Sequence, residues 1–206
     1  FQRATSPLTD DSEEGEVWIM DGDGPNALQL TRNSLAETGA IVSPDDASVL
    51  FVSDTNEKLE SYFNGKLFVV PASGGSPKLL LAEMKYEVER ADWSVDGKSI
   101  YFTANMGIRS HLFRVQIATN QMEQITEGDS AIRAWQYESK TRRHLVSLDQ
   151  PTNAGDIWIA DEANPRLRKV TNVFDYLTRD FELPRVEAVQ WKGADLNSLT
   201  APEIAA

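Results

Sequence analysis

Four windows of fifteen residues align without a gap along this chain: VWIMDGDGPNALQLT (17–31), LFVVPASGGSPKLLL (67–81), LFRVQIATNQMEQIT (112–126) and IWIADEANPRLRKVT (157–171). Each opens on an aliphatic-aromatic pair: Val17-Trp18, Leu67-Phe68, Leu112-Phe113 and Ile157-Trp158. Each closes on an aliphatic at one position: Leu30, Leu80, Ile125 and Val170. The starts lie 50, 45 and 45 residues apart. Strand-forming residues on either side of a Gly-, Pro-, Asn- or Ser-containing turn read as a hairpin. A fixed period of this size means that one supersecondary unit is stacked several times.

A second hairpin sits between the windows, in IVSPDDASVLFVSD (41–54) and DWSVDGKSIYFTAN (92–105). Ser43-Pro44-Asp45-Asp46 and Ser94-Val95-Asp96-Gly97 suit type I turns, with Ser first and Asp third. The strands that follow alternate, with Val49 and Phe51, or Ile100 and Phe102, on one face and Leu50 or Tyr101 on the other. A degenerate third copy follows Trp135, where Leu145-Val146 precedes Ser147. Two hairpins per period make four antiparallel strands, which is the pattern of a β-propeller blade. The expected fold is therefore all-β, with about 3.5 to 4 blades of an incomplete propeller. Blades bury their faces only against one another, so Trp18, Phe68, Phe113 and Trp158 are expected to pack between neighbours. Residues 1–16 read as too polar for two good strands. Thr55–Asn64 reads as a longer loop, and only Glu57–Tyr62 and Val173–Phe181 look locally helical or irregular.

Charge and composition then narrow the function. A net charge of −12 repels phosphate backbones, which argues against nucleic acid as a partner. No window approaches the eighteen apolar residues of a membrane span. The absence of Cys removes disulfides, thiol nucleophiles and thiolate metal sites. The start at Phe1, without an initiator Met, reads as that of a processed or excised piece.

No G-x-S-x-G nucleophile elbow occurs, and the nearest string, Gly74-Gly75-Ser76-Pro77-Lys78, falls in a hairpin turn. The two His residues, His111 and His144, read as strand-end or surface residues, so neither a catalytic residue nor a metal site is expected. Asp21-Gly22-Asp23-Gly24 has Arg32 where an EF-hand loop needs Glu, and reads as a turn. No cofactor is implied. The candidates for substrate contact are charges placed just before the innermost strands, which line a propeller's channel: Glu89, Arg90, Asp92 and Arg133. Solvated loop charge is the alternative for all four.

The strings DWSVDGKSIYFTAN and IVSPDDASVLFVSD resemble the W-S-P-D-G-K-x-I-x-F blades of the prolyl oligopeptidase family of serine peptidases, on its acylaminoacyl-peptidase and dipeptidyl-peptidase-like branch. Similar blades occur in TolB-like propellers, so the motif names an architecture rather than an activity. FELPRVEAVQWKGAD (181–195) is similar to the point where those peptidases leave the propeller and begin an α/β-hydrolase domain. The likeness covers about residues 16–195. It implies that residues 1–184 are the C-terminal half of a larger propeller, and that 185–206 begin a hydrolase domain or form a terminal tail.

The implied function is that of a non-catalytic propeller region, which caps a hydrolase active site and restricts access to short peptides. The implied partners are the α/β-hydrolase domain of the same polypeptide, which would carry the catalytic triad, and a peptide substrate. In dipeptidyl peptidases, propeller Glu and Arg residues contact substrate. Two other readings stay open: a TolB-like protein-binding scaffold, and a propeller enzyme such as a glycosidase or lactonase. Members of these families occur in cytoplasm and periplasm alike. Open blade faces near 17–31 and 157–171 are expected to promote self-association.

Overall fold

In the computed structural model, which describes residues 1–4, 15–33, 35–56, 58, 61–192 and 198–204, every window folds as a hairpin. Strands β1 (Gln2–Ala4), β2 (Gly15–Ile19) and β3 (Leu28–Gln29) form a first sheet, antiparallel throughout. The second sheet is β4 (Glu37–Val42), β5 (Ser48–Thr55), β6 (Ser61–Pro71) and β7 (Lys78–Leu79), hydrogen-bonded in that order. The third contains β8 (Glu87–Trp93), β9 (Ser99–Asn105), β10 (Ser110–Gln116) and β11 (Gln121–Gln124). The same eight-stranded sheet continues through one parallel pair, Ser110 with Ala131, into β12 (Ala131–Glu138), β13 (Arg143–Gln150), β14 (Asn153–Asp161) and β15 (Asn164–Lys169). A short helix α1 (Asp175–Asp180) follows, then a hairpin of β16 (Val186–Lys192) and β17 (Ser198–Ile204). These are propeller blades, three with four strands and the first with three among the described residues. By internal contacts the chain divides into one unit of Phe1–Phe102 with Arg114–Glu123 and another of Thr103–Phe113 with Gln124–Ala206.

In the first unit, the Ser-x-Asp turns explain why the motif repeats. Ser43 Oγ donates to Asp45 Oδ1 (2.6 Å) and accepts the Ser48 N–H (3.0 Å), while Asp45 takes the Ala47 N–H (3.1 Å). Ser94, Asp96, Ser99 and Lys98 repeat the set at 2.7, 2.9 and 3.1 Å. The bonds from Ser43 and Ser94 hold both Asp carboxyls below their usual range. The fourth turn residue has positive φ, +58° at Asp46 and +67° at Gly97, so Gly fits and Asp is tolerated.

Blades then stack by burying the predicted faces. Val17 and Leu30 of the first blade pack against Val49, Phe51, Phe68 and Val70 of the second, with Phe51 and Phe68 stacked at 5.3 Å. The second and third blades approach so closely that a Cβ on Gly65 would lie 2.6 Å from the Val88 carbonyl oxygen. Trp93 Nε1 donates to the Ile41 carbonyl across the same boundary (3.0 Å). The motif Trp therefore ties one blade to the next.

The second unit is built around the buried His144, whose ring stacks on Trp135 (6.2 Å) and lies 5.0 Å from Tyr137. Trp135 Nε1 donates to His144 Nδ1 (3.2 Å). Burial pushes this imidazole down to about 4. Both His residues are thus strand-borne, as expected, but buried rather than on the surface, since each points into the packed face of its sheet.

One further expectation is corrected. Thr55 pairs with Ser61, so the supposed loop at Thr55–Asn64 is largely a lengthened β5–β6 hairpin, whose extra pairs account for the longer first spacing. Glu57, Leu59 and Glu60 lie outside the described residues, as do 5–14 of the polar first stretch and Asp195-Leu196-Asn197 of the last. Val173–Phe181, expected to be helical or irregular, contains α1.

Candidate functional site

The described cleft that contains a sequence-predicted residue lies wholly in the second unit, around Arg133. Its volume is about 260 Å³, and its lining includes Ile108, Asp129, Ser130, Arg133, Asp149 and, from β16, Val186, Glu187 and Ala188. An irregularity in the β12–β13 register between Ile132 and Ala134 lets Ile132 and Trp135 both be buried and leaves Arg133 exposed. Arg133 Nε donates to Asp149 Oδ2 on the neighbouring strand (2.5 Å), and Arg109 Nε donates to Asp129 Oδ1 (3.1 Å). Arg185 and Glu187 form a third pair. Such exposed pairs contribute little stability, about 0–1 kcal/mol each. Their chemical effect is to present fixed donors and acceptors beside the apolar surface of Ile108, Val186 and Ala188. Among the described residues, the two Nη groups of Arg133 have no partner, so they remain available to a polar ligand.

Glu89, Arg90 and Asp92 fall in the first unit, on β8 itself rather than before it. On this strand Val88 and Trp93 are buried, and Glu89 and Arg90 between them are exposed. Asp92 is half-buried; its pKa is raised by burial, against the Trp93 N–H that its Oδ1 accepts at 2.7 Å. The four predicted residues thus divide between the units, three on β8 and Arg133 on β12.

The catalytic alternatives resolve into local structure. Ser76 lies in the β6–β7 turn, beside Gly74 and Gly75 with φ of +89° and +140°. Asp21–Gly24 is a turn closed by Gly24 N–H to the Asp21 carbonyl (2.9 Å), with Asn26 Nδ2 on the Asp21 carboxylate (2.7 Å). His111 meets Thr126 Oγ1 through Nδ1 (3.3 Å) and the Gly128 backbone; burial lowers its pKa. Among the described residues, no three His, Asp or Glu side chains converge as a metal site would require.

One recurring set escaped the sequence reading: the residue just before each window. Glu16, Lys66, His111 and Asp156 are all buried, and each binds the loop leaving its own hairpin. The Asn33 N–H donates to Glu16 Oε1 (2.6 Å), Lys66 Nζ donates to the Met84 carbonyl, and the Val173 N–H donates to Asp156 Oδ1 (2.9 Å). The window's last residue completes the brace. The hydroxyls of Thr31, Thr126 and Thr171 accept the N–H of Val17, Leu112 and Ile157 at 2.8–2.9 Å. Extending the aligned windows by one residue would have exposed a column that is polar but of no single type. These residues fix the blades rather than face a ligand. Burial alone would raise the Asp156 carboxyl, but the bonds from Asn153, Thr171, Lys169 and Val173 outweigh it and hold it low.

Comparison with known proteins agrees with this architecture. No family model matches the chain. Dipeptidyl-peptidase 5 of Porphyromonas gingivalis is 30% identical over 86 residues, which is 42% of this chain and 12% of that protein. The acylaminoacyl peptidase of Pyrococcus horikoshii superposes over 91% of this chain and 28% of its own, with a TM-score of 0.70 at 16% identity. The β-propeller domain of the Trilobed protease from Pyrococcus furiosus matches over 84% of this chain and 49% of its own (TM-score 0.64, 16% identity). TolB from Acinetobacter baumannii matches over 93% and 47% (TM-score 0.58, 17% identity). The chain spans less than half the length of each. It is made of β-propeller blades whose relatives and structural neighbours include peptidases of the acylaminoacyl-peptidase and prolyl-oligopeptidase kind and their propeller domains.

Proposed function

We propose that this chain is the non-catalytic propeller region of such a peptidase, capping a hydrolase active site and admitting short peptides only. The observation that carries the reading is the Arg133 cleft. There the first strand of the last blade and the exit strand β16 line one space, so the strand leading away from the blades lies beside available guanidinium donors. Residues 1–184 act as blades, and 185–206 lead toward the hydrolase domain. A peptide entering there meets Arg133; Glu89, Arg90 and Asp92, on β8 of the other unit, are separate candidates for substrate contact. The open blade faces near 17–31 and 157–171 favour self-association when no further blade covers them.

The test joins the chain to an acylaminoacyl-peptidase-type hydrolase domain and compares it with that domain alone. The ratio of kcat/KM for a short peptide to that for a long polypeptide should rise at least about tenfold on joining. An unchanged ratio overturns the gating reading. A second reading, a TolB-like protein-binding scaffold, draws on the likeness to TolB, of which the chain matches nearly half. It predicts stable capture of a protein partner with no effect on peptide length selection.

A further inference from the structure

A cleft of about 590 Å³ lies between the first two blades, wholly within the first unit. Its volume falls in the range of small-molecule sites, about 300–1,000 Å³. One wall is β3 and the start of the loop that leaves it, and the other is Phe68 with the β6–β7 turn and Leu79. The two walls meet beside it, where a Cβ on Gly74 would lie 3.7 Å from Leu28 Cδ2. Leu30 and Phe68 are buried and Leu79 is half-buried, so part of the lining is apolar.

Both walls are tied from behind. Thr31 Oγ1 donates to Glu37 Oε2 (2.9 Å), Asn33 Nδ2 donates to Glu37 Oε1 (2.6 Å), and the Asn33 N–H donates to Glu16 Oε1 (2.6 Å). Arg32, between these two fixed residues, is exposed and has no partner among the described residues. On the facing side the Gly74 N–H closes the turn onto the Pro71 carbonyl (2.9 Å). The N–H groups of Gly75 and Ser76, which also line the cleft, have no partner among the described residues. Donors held in place before a ligand arrives lose little freedom when it binds.

Charge selects the ligand. Arg32 alone is charged among the described lining residues, in a chain whose net charge is −12. That net charge repels anions at large, so an anion held here is held by local contacts. A guanidinium forks onto a carboxylate through two parallel N–H bonds, and one cation matches its single charge. A doubly charged phosphate would add an unmatched anion to an acidic molecule.

We infer that this cleft binds an apolar residue with a free α-carboxylate, the chemistry of a peptide's C-terminus. The carboxylate pairs with Arg32, and the side chain lies against Leu30, Phe68 and Leu79. This site is separate from the Arg133 cleft and does not depend on peptide gating.

The test titrates the isotope-labelled full chain with N-acetylphenylalanine, its amide, Ala-Ala-Phe and benzyl phosphate, following backbone amide shifts by NMR. N-acetylphenylalanine should give saturable shifts at Arg32, Gly75 and Ser76 by about 10 mM, and the amide should bind at least about tenfold more weakly. Arg32→Gln, at an exposed position, should bring the carboxylate down to the affinity of the amide. The comparison of acid with amide is made on the wild type, so it stands whatever the variant does. Tighter binding of Ala-Ala-Phe supports a peptide end as occupant, and equal binding supports a free acylated amino acid. No saturable shift, shifts confined to other residues, or equal affinity for acid and amide overturns the site. Benzyl phosphate binding as tightly as the acid overturns the assignment to a carboxylate.

Discussion

Phe51 and Phe1 hold the same place in successive blades, each stacked on the aromatic residue of its own window, yet one is 2% exposed and the other 51%. The difference lies outside both blades. Phe51 is covered by Val17 and Leu30 of the preceding blade, whereas no described residue plays that part for Phe1. A blade's local chemistry therefore sets which residues form a face, and only its neighbour decides whether that face is a core.

The contrast breaks most visibly under truncation. Phe51→Ala should cost about 3–5 kcal/mol and Leu30→Ala about 2–5 kcal/mol in urea unfolding, since each removes a buried side chain from a packed boundary. Phe1→Ala and Val170→Ala should stay within about 0.5 kcal/mol at dilutions where copies are apart. Equal costs on both sides would mean that the open faces are covered after all.

A smaller effect sharpens the comparison through pH. Burial raises the Glu37 carboxyl from 4.5 to about 7, with the Glu16 charge adding to it against hydrogen bonds from Asn33 and Thr31. The folded state holds this proton more tightly, so the stability it contributes is complete below pH 4.5 and is lost as pH rises through about 7. His144 runs the other way: its contribution is complete above pH 6.5 and is lost as pH falls toward about 4. The two slopes oppose one another at mildly acidic pH. Glu37→Gln should remove the alkaline loss, about 2–3 kcal/mol, and leave a melting temperature that only climbs with pH. A profile identical to wild type would show that Glu37 is already ionised in the folded protein.

Much of the fold was legible in the sequence because period and alternation report hydrogen-bonded geometry directly. The four hairpins, the Ser43 and Ser94 turns and the alternation of Val49, Leu50 and Phe51 all follow from local rules. What escaped was set by partners remote in sequence. Glu16, Lys66, His111 and Asp156 share a position but no chemical type, since a loop can be braced by an acceptor of its N–H or by a donor to its carbonyl. The buried placement of His144 depends on Trp135 and Tyr137 across the β12–β13 pair, which composition does not reveal. Of the candidate site, Arg133 was read as a charge placed just before an innermost strand, whereas it lies on β12 itself. The cleft beside it was not legible, because part of its wall, Val186 to Ala188, comes from β16, more than fifty residues further on.

Hydroxyl-radical footprinting of the dilute chain, read residue by residue by mass spectrometry, tests most directly whether neighbours rather than local sequence decide burial. Phe51 and Phe68 should be protected while Phe1 and Met20 are labelled strongly, with the latter two gaining protection as concentration rises. Similar labelling of Phe51 and Phe1 in the folded chain would contradict the stacked-blade account at its root.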